Sequence, residues 1–281
     1  MEEIGNQIYL EKSFAGVTLG AVNLAQGMLL VDSPLLPADQ QAWRERVGRL
    51  GEGKNRFALM LDTHIDRTLG MNALHCTVLG HEKAVQILSD RPASPRPQDL
   101  EAGSEMEAMN LPVNARWQPP AMTFSQDLQL YSQNHPVTIA YRPGGHLAGC
   151  WVRSDAEKVV FVGDSVVEHQ PPFLAFSNLN IWLDELNELL SEPFRAYSIV
   201  SGRSGLVRRK ALEKQIELLT QIQNSQPELE AAQDKMEAIG DLLPSFMRRI
   251  SFDKRFTNLY RRRLVFGLSE YLKRQKDLEN Q

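Results

Sequence analysis

The sequence predicts an α/β chain made of two strand-rich halves, with two sheets packed face to face and helices outside. Three observations carry that reading. Short β-branched and aliphatic runs separated by glycine fill the first third, the same pattern returns between residues 129 and 162, and amphipathic helical stretches accompany both halves. Layering of this kind lets each element bury its apolar face. Periodicity alone leaves other α/β layouts open.

Taken in order, Ile8 to Lys12, Val17 to Leu24 and Met28 to Val31 read as strands. Ala38 to Leu50 has helical spacing and starts just after Pro37. Phe57 to Leu61 is a strand that runs into Asp62-Thr63-His64-Ile65-Asp66-Arg67, with a turn at Gly70. Cys76 to Leu79 reads as a strand and His81 to Leu88 as a helix. Arg91 to Pro120 is rich in proline and polar residues. A loop of that length in a compact domain is usually functional or disordered, and here it is placed as a rim. Gln129 to Tyr131, Val137 to Tyr141, Cys150 to Arg153 and Val159 to Val162 are strands again. Asn178 to Leu190 sets Leu179, Trp182, Leu183, Leu186, Leu189 and Leu190 on one helical face. Ile199 and Val200 suit a last strand. From Val207 the pattern is helical, with breaks at Ser225-Gln226-Pro227 and Leu243-Pro244. Proline lacks the N–H that a helix interior needs, so three helices are expected, about 207–223, 227–241 and 254–275.

At 281 residues with 42% apolar content, the chain has enough apolar residues for a full core. No apolar stretch approaches the ~20 residues that cross a bilayer. The start, Met-Glu-Glu-Ile-Gly, shows no secretory signal pattern. Cys76 and Cys150 make neither a metal pair by spacing nor a disulfide framework, so the cytoplasm is the expected compartment. The net charge of −4 hides an asymmetry. Residues 248–276 hold ten Lys/Arg against Asp253 and Glu270, a net +8 that leaves −12 on the rest. No nucleic-acid motif accompanies this charge. Phe252, Phe256, Leu259, Tyr260, Leu264, Phe266, Leu268, Tyr271 and Leu272 make the segment too apolar for a free tail. It is expected to pack on the body or on a second copy of the chain, with Arg261, Arg262, Arg263 and Arg274 outward or paired with acids.

A strand that ends in closely spaced imidazole and carboxylate groups aims several ligands at one point, as a divalent metal site requires. Asp62 to Arg67 has that form, and four other segments stand in order around it. They are Val31-Asp32-Ser33-Pro34, Pro143-Gly144-Gly145-His146-Leu147-Ala148-Gly149-Cys150, Val160-Phe161-Val162-Gly163-Asp164 and Ser201-Gly202-Arg203-Ser204-Gly205. Over about residues 7–205 the five together resemble the metallo-β-lactamase superfamily. They match, in turn, its H-x-H-x-D-H segment, its early aspartate turn, its G-H-T-P-G-S turn, its strand ending in G-D and its P-G-H-G turn. The resemblance implies a four-layer αββα metallo-β-lactamase sandwich over 1–205 and a C-terminal helical extension over 206–281.

Carried over by position, the resemblance assigns Asp62, His64 and His146 to a first metal site. Asp66, Arg67 and Arg203 fall at the second, and Asp164 at the bridge. Aspartate is an acceptable exchange for histidine at zinc, iron or manganese. Arginine stays protonated and cannot ligate. The implied metal ligands are therefore Asp62, His64, His146 and Asp164, holding one divalent ion, zinc first and iron or manganese as alternatives. Arg67 and Arg203 bring +2, the charge of the second ion they displace, to three carboxylates that would be costly to bury alone. Asp66, Arg67 and Arg203 become the implied catalytic or anion-binding groups.

The function implied is a hydrolase of a small-molecule ester, thioester or phosphoester acting through metal-activated water. It resembles the broad, glyoxalase II-like branch more than true β-lactamases. The alternative is a non-catalytic binding or scaffold protein on the same fold, its cluster held by metal-free salt bridges. Neither membrane nor nucleic acid is an expected partner, and a homo-oligomer through the C-terminal helices is left open. His75, His81, His135 and His169 fall outside the ligand positions. His81 is expected at the surface or as a helix cap, His169 in a loop, and Trp182 and Cys150 in the core.

Overall fold

Period-two alternation builds two sheets in the computed structural model, which describes residues 1–51, 55–93, 101–109, 111, 116–132 and 135–279. The first sheet has seven strands adjacent in chain order: β1 (Glu2–Gly5), β2 (Ile8–Glu11), β3 (Leu19–Leu24), β4 (Gly27–Val31), β5 (Asn55–Leu59), β6 (Thr77–His81) and β7 (Met122–Phe124). It is antiparallel from β1 to β4 and parallel from β4 to β7. The second has six, again adjacent in order: β8 (Asp127–Ser132), β9 (His135–Tyr141), β10 (Cys150–Ser154), β11 (Val159–Gly163), β12 (Ser198–Ser201) and β13 (Gly205–Val207). Only β11 and β12 run parallel there.

Parallel neighbours need crossovers. Helix α1 (Pro37–Gly48) supplies one, the short α2 (Ile65–Thr68) lies in the next, and α3 (Glu82–Ser89) and α4 (Leu179–Leu190) serve the others. Side chains sort by parity. Leu29 and Val31 point between the sheets with Leu10, Leu59, Ile139 and Phe161. Met28 and Leu30 face the other way, onto Trp43 and Val47 of α1 and Leu88 of α3. Val160 and Val162 likewise face Trp182, Leu186 and Leu189 of α4. The result is the expected αββα layering.

Three helices follow: α5 (Arg209–Ala231), α6 (Lys235–Met247) and α7 (Thr257–Glu279). Pro227 and Pro244 lie inside α5 and α6, so the expected breaks are displaced. Buried Ile222 and Leu229 keep α5 docked across Pro227, and Leu243 and Phe246 do so around Pro244. The chain turns instead at Ala232, where the backbone becomes extended. Asp234 then caps α6 by accepting from Met236 N–H and Glu237 N–H at 2.9 and 3.0 Å. The third helix starts at Thr257 after a 3-10 turn, Lys254–Phe256, capped by Asp253. Leu264, Leu268, Tyr271 and Leu272 of α7 join the core of α4 and β11, so the basic segment packs on the body as expected. Strands β1, β7 and β13 were not anticipated; at three or four residues they are too short to show a period. Among the described residues no helix is long and apolar enough to cross a membrane.

Two expectations follow from this packing. Leu268 is fully buried, so Leu268→Ala should cost about 2–5 kcal/mol in denaturant unfolding; a loss near zero would contradict the docking of α7. Glu185, buried on α4, accepts from Gly144 N–H through both oxygens at 3.1 and 3.2 Å. Burial pushes its carboxyl up from 4.5 to about 7. The native state therefore holds a proton that the unfolded chain releases, and this contribution to stability is lost as pH rises from 4.5 to 7. The stability of Glu185→Gln relative to the parent should rise across that window and level off above it, measured by denaturant titration at each pH.

Candidate metal centre

The candidate residues gather where parallel strands end. Asp32 follows β4, Asp62 follows β5, Asp164 follows β11 and Arg203 follows β12. Carboxyl ends of parallel strands are where α/β sheets bind ligands. Every residue from Ala58 to Met71 is buried. Asp62 Oδ1 accepts from His64 N–H at 2.9 Å, a local turn that points both side chains the same way. Asp32, in a left-handed conformation at φ 59°, accepts from Leu61 N–H at 2.9 Å and joins the ends of β4 and β5.

Arg67 lies at the centre, fully buried. Its Nη1 faces Asp62 Oδ2 at 3.2 Å and Asp32 Oδ2 at 3.5 Å, its Nη2 donates to Asp164 Oδ1 at 2.5 Å, and its Nε is 3.6 Å from Asp66 Oδ1. The backbone of β12's turn passes so close that a Cβ at Gly202 would lie 2.4 Å from Nη1. Arg203 Nε donates to Asp164 Oδ2 at 2.6 Å and Nη1 donates to Asp66 Oδ2. Burial alone would raise the Asp164 carboxyl, but Arg203 and Arg67 hold it well below the usual carboxylate range. Asp32, with only the outer edge of Arg67, is pushed up to about 8 by burial.

The two histidines differ. His146 Nδ1 accepts from Ala148 N–H at 3.0 Å, so Nε2 carries the proton and donates to Thr63 Oγ1 at 3.0 Å. Burial and the neighbouring His64 and Arg91 charges keep His146 neutral, well below its ordinary pKa. His64 Nδ1 is 3.2 Å from Glu101 Oε1 and Nε2 is 3.4 Å from Asp164 Oδ2. Both contacts are poorly directed, and neither nitrogen makes a hydrogen bond. Burial opposes protonation of His64, but Asp62, Glu101 and Asp164 outweigh it and raise its pKa.

Donor atoms of Asp62, His64 and Asp164 lie within 4.8 Å of one another and could hold a metal ion. His146 stands beside them, its ring 5.2 Å from that of His64, but both its nitrogens are engaged elsewhere. Asp66 and Arg203 pair with each other, and Arg67 bridges one oxygen of Asp62 to one of Asp164.

Sequence reasoning did not find Glu101, Arg91 or Arg263 here. Glu101 accepts from Ile65 N–H at 3.0 Å, and Arg91 donates to Thr63 O at 2.7 Å. Both come from the 91–120 segment, whose length was the only signal; its residues 94–100, 110 and 112–115 lie outside the described residues. Arg263, expected outward or paired with an acid, is instead buried and donates to Gly103 O, Gln170 Oε1 and Pro171 O. His81 is a helix cap as expected, accepting from Lys83 N–H, but it is buried rather than superficial. Trp182 and Cys150 are in the core.

The centre is covered. A small cavity of about 10 Å³ is lined by His64, Glu101, His146, Phe173, Arg263 and Phe266. A larger cavity of about 280 Å³ reaches Arg203 past Glu105, Glu168, His169 and Tyr260.

No protein-family model and no curated protein sequence matches the chain. Solved structures do match in fold. A metallo-β-lactamase family protein from Thermus thermophilus is 18% identical at TM-score 0.64, over 96% of this chain and 94% of its own. A metallo-β-lactamase from Pontibacter korlensis is 15% identical at TM-score 0.59, over 78% and 97%. A sec-alkylsulfatase from Pseudomonas sp. is 11% identical at TM-score 0.63, over 97% of this chain and 49% of its own. The chain has the metallo-β-lactamase fold. The Thermus match leaves too few residues out to exclude the helices after residue 205.

Removing Arg67 leaves its four carboxylate neighbours buried without their shared counter-charge. Arg67→Met should therefore destabilise the chain by roughly 3–5 kcal/mol. A loss below about 1 kcal/mol in denaturant unfolding would show that these carboxylates do not depend on it.

Proposed function

We propose that the chain is a metal-dependent hydrolase whose centre holds one divalent ion on Asp62, His64 and Asp164. The observation that carries this reading is the convergence of three donors from two segments, Asp62 and His64 beyond β5 and Asp164 beyond β11, one of them an imidazole with no directed hydrogen bond on either nitrogen. Three protein ligands leave a position for substrate, the usual form of a catalytic zinc site. A divalent ion there supplies Lewis-acid polarisation and lowers the pKa of water to about 7. Arg67 takes the electrostatic place of a second ion. Asp66 Oδ1, which makes no hydrogen bond, is the carboxylate oxygen available to accept a proton. His146, held neutral, orients Thr63 and leaves the charge of the centre unchanged.

The substrate class is an ester, thioester or phosphoester. The alkylsulfatase among the fold neighbours supports hydrolysis as the chemistry and adds sulfate esters to the candidates. A second reading, a non-catalytic binding protein with a metal-free cluster, is favoured by one observation: Asp62, His64 and Asp164 are 2, 2 and 4% exposed.

Elemental analysis of the full chain, purified without chelator, separates the two. The hydrolase reading expects one equivalent of metal, and hydrolysis in a panel of chromogenic esters, thioesters, phosphodiesters and sulfate esters. His64→Ala should remove both metal and activity. Two equivalents would refute the arginine replacement. No metal, even after reconstitution with Zn²⁺, Mn²⁺ or Fe²⁺, would leave the binding-protein reading.

A further inference from the structure

Arg263 is a buried cation with no carboxylate partner among the described residues. It is 1% exposed on α7, yet its acceptors Gly103 O, Gln170 Oε1 and Pro171 O, at 2.9, 2.7 and 3.0 Å, are all neutral. Its placement is constrained: Gly103, at φ 81°, passes so close that a Cβ would meet Arg263 N at 2.3 Å. The other buried arginines of the site, Arg67, Arg91 and Arg203, each face a carboxylate. A buried charge held only by neutral groups is costly, and an arriving anion would offset that cost.

A second guanidinium, that of Arg203, has an unsatisfied donor. Arg203 uses Nε and Nη1 on Asp164 and Asp66, while its buried Nη2 makes no hydrogen bond. Both guanidinium groups lie over the ring of Phe173, Arg203 at 4.6 Å and Arg263 at 4.1 Å from its centroid. Two guanidinium groups thus cover one side chain, and such planar donors match phosphate, sulfate and carboxylate oxygens.

The adjoining cavity indicates the rest of the ligand. Its 280 Å³ is lined by Arg203, Glu105, Glu168 and Asp253, and by Gln170 and Tyr260, through which Arg263 adjoins it. Tyr260, whose ring Arg263 also covers, donates to Glu105 Oε1 at 3.0 Å. Asp253 pairs with Arg255, whereas the Glu168 carboxylate has no partner among the described residues. A simple anion would meet repulsion on entry, and a molecule with a positive far end would not.

We propose that Arg203 and Arg263 form an oxyanion subsite whose ligand is a small zwitterion, its phosphate, sulfate or carboxylate on the two guanidinium groups and its ammonium among Glu105, Glu168 and Asp253. Calling that ligand the substrate rests on the hydrolase reading above; its binding does not.

Thermal unfolding of the full chain tests this, with chelator present throughout and ionic strength held constant with sodium chloride. The probes are ethyl phosphate, phosphoethanolamine and ethanolamine. Both phosphates should raise Tm saturably, phosphoethanolamine at about tenfold lower concentration, the effect of one added ion pair. Ethanolamine alone should do nothing. Arg263→Leu should abolish the response to both phosphates, and Glu168→Gln should remove only the advantage of phosphoethanolamine. If Arg263→Leu does not fold, Arg263→Lys, which keeps the charge and loses the planar fork, should raise both half-saturating concentrations several-fold. No phosphate response in the parent chain, or one unchanged in the Arg263 variants, overturns the subsite. Equal responses to the two phosphates overturn the zwitterion. A phosphate response without any hydrolytic activity leaves the subsite standing and sinks only the hydrolase reading.

Discussion

The guanidinium of Arg67 ties together carboxylates from both sheets. Asp32, Asp62 and Asp66 belong to the β4 and β5 ends of the first sheet, and Asp164 to the β11 end of the second. Four acids in one dry volume repel one another and lose hydration, and a single delocalised cation with several donors satisfies them in fixed directions. Gly202 shows how closely the chain is built around it, since no side chain fits between that backbone and Nη1. Arg67 therefore joins the functional ends of the two sheets.

That constraint shapes the chemistry of the centre. Asp62 and Asp164 each give one oxygen to Arg67, and His64 lies beside the other oxygen of Asp164. His64 gathers carboxylates and takes a raised pKa, while His146 gathers cations and falls well below its ordinary value. Two histidines that look equivalent in the chain are thus sorted by the charges around them. One remains a candidate metal ligand and the other becomes a hydrogen-bonding support for Thr63.

The C-terminal helices finish the centre as well as covering it. Helix α7 docks through Leu264, Leu268 and Leu272 on the core of the second sheet, and the same docking brings Arg263 and Phe266 over His64. Arg262 pairs with Glu107 at 2.6 Å and Tyr260 with Glu105, so α7 also holds the 101–109 segment against the body. Access to the centre and stability of the extension are in this way properties of one helix. The opening that remains runs by Arg203.

Much of this was legible in the chain. The alternation that separates Leu29 and Val31 from Met28 and Leu30 is a local property of strands, and it marked two sheets with helices outside. The ordered motifs marked Asp62, His64, Asp66, Arg67, His146, Asp164 and Arg203, because each stands in a short segment that follows a strand. Proline misplaced the helix boundaries, since tertiary burial around Pro227 and Pro244 outweighs one missing N–H. Only the tertiary structure decided which histidine has no directed hydrogen bond on its nitrogens, because that depends on Ala148, Thr63 and Glu101 meeting across the fold. It alone brought in Glu101 and Arg91, which lie in a segment without period or motif, and buried Arg263, which the helical period leaves outward or paired with an acid. Periodicity and motif record what a residue's near neighbours in sequence require; the pairing of buried charges is set by distance in space, and no local pattern encodes it.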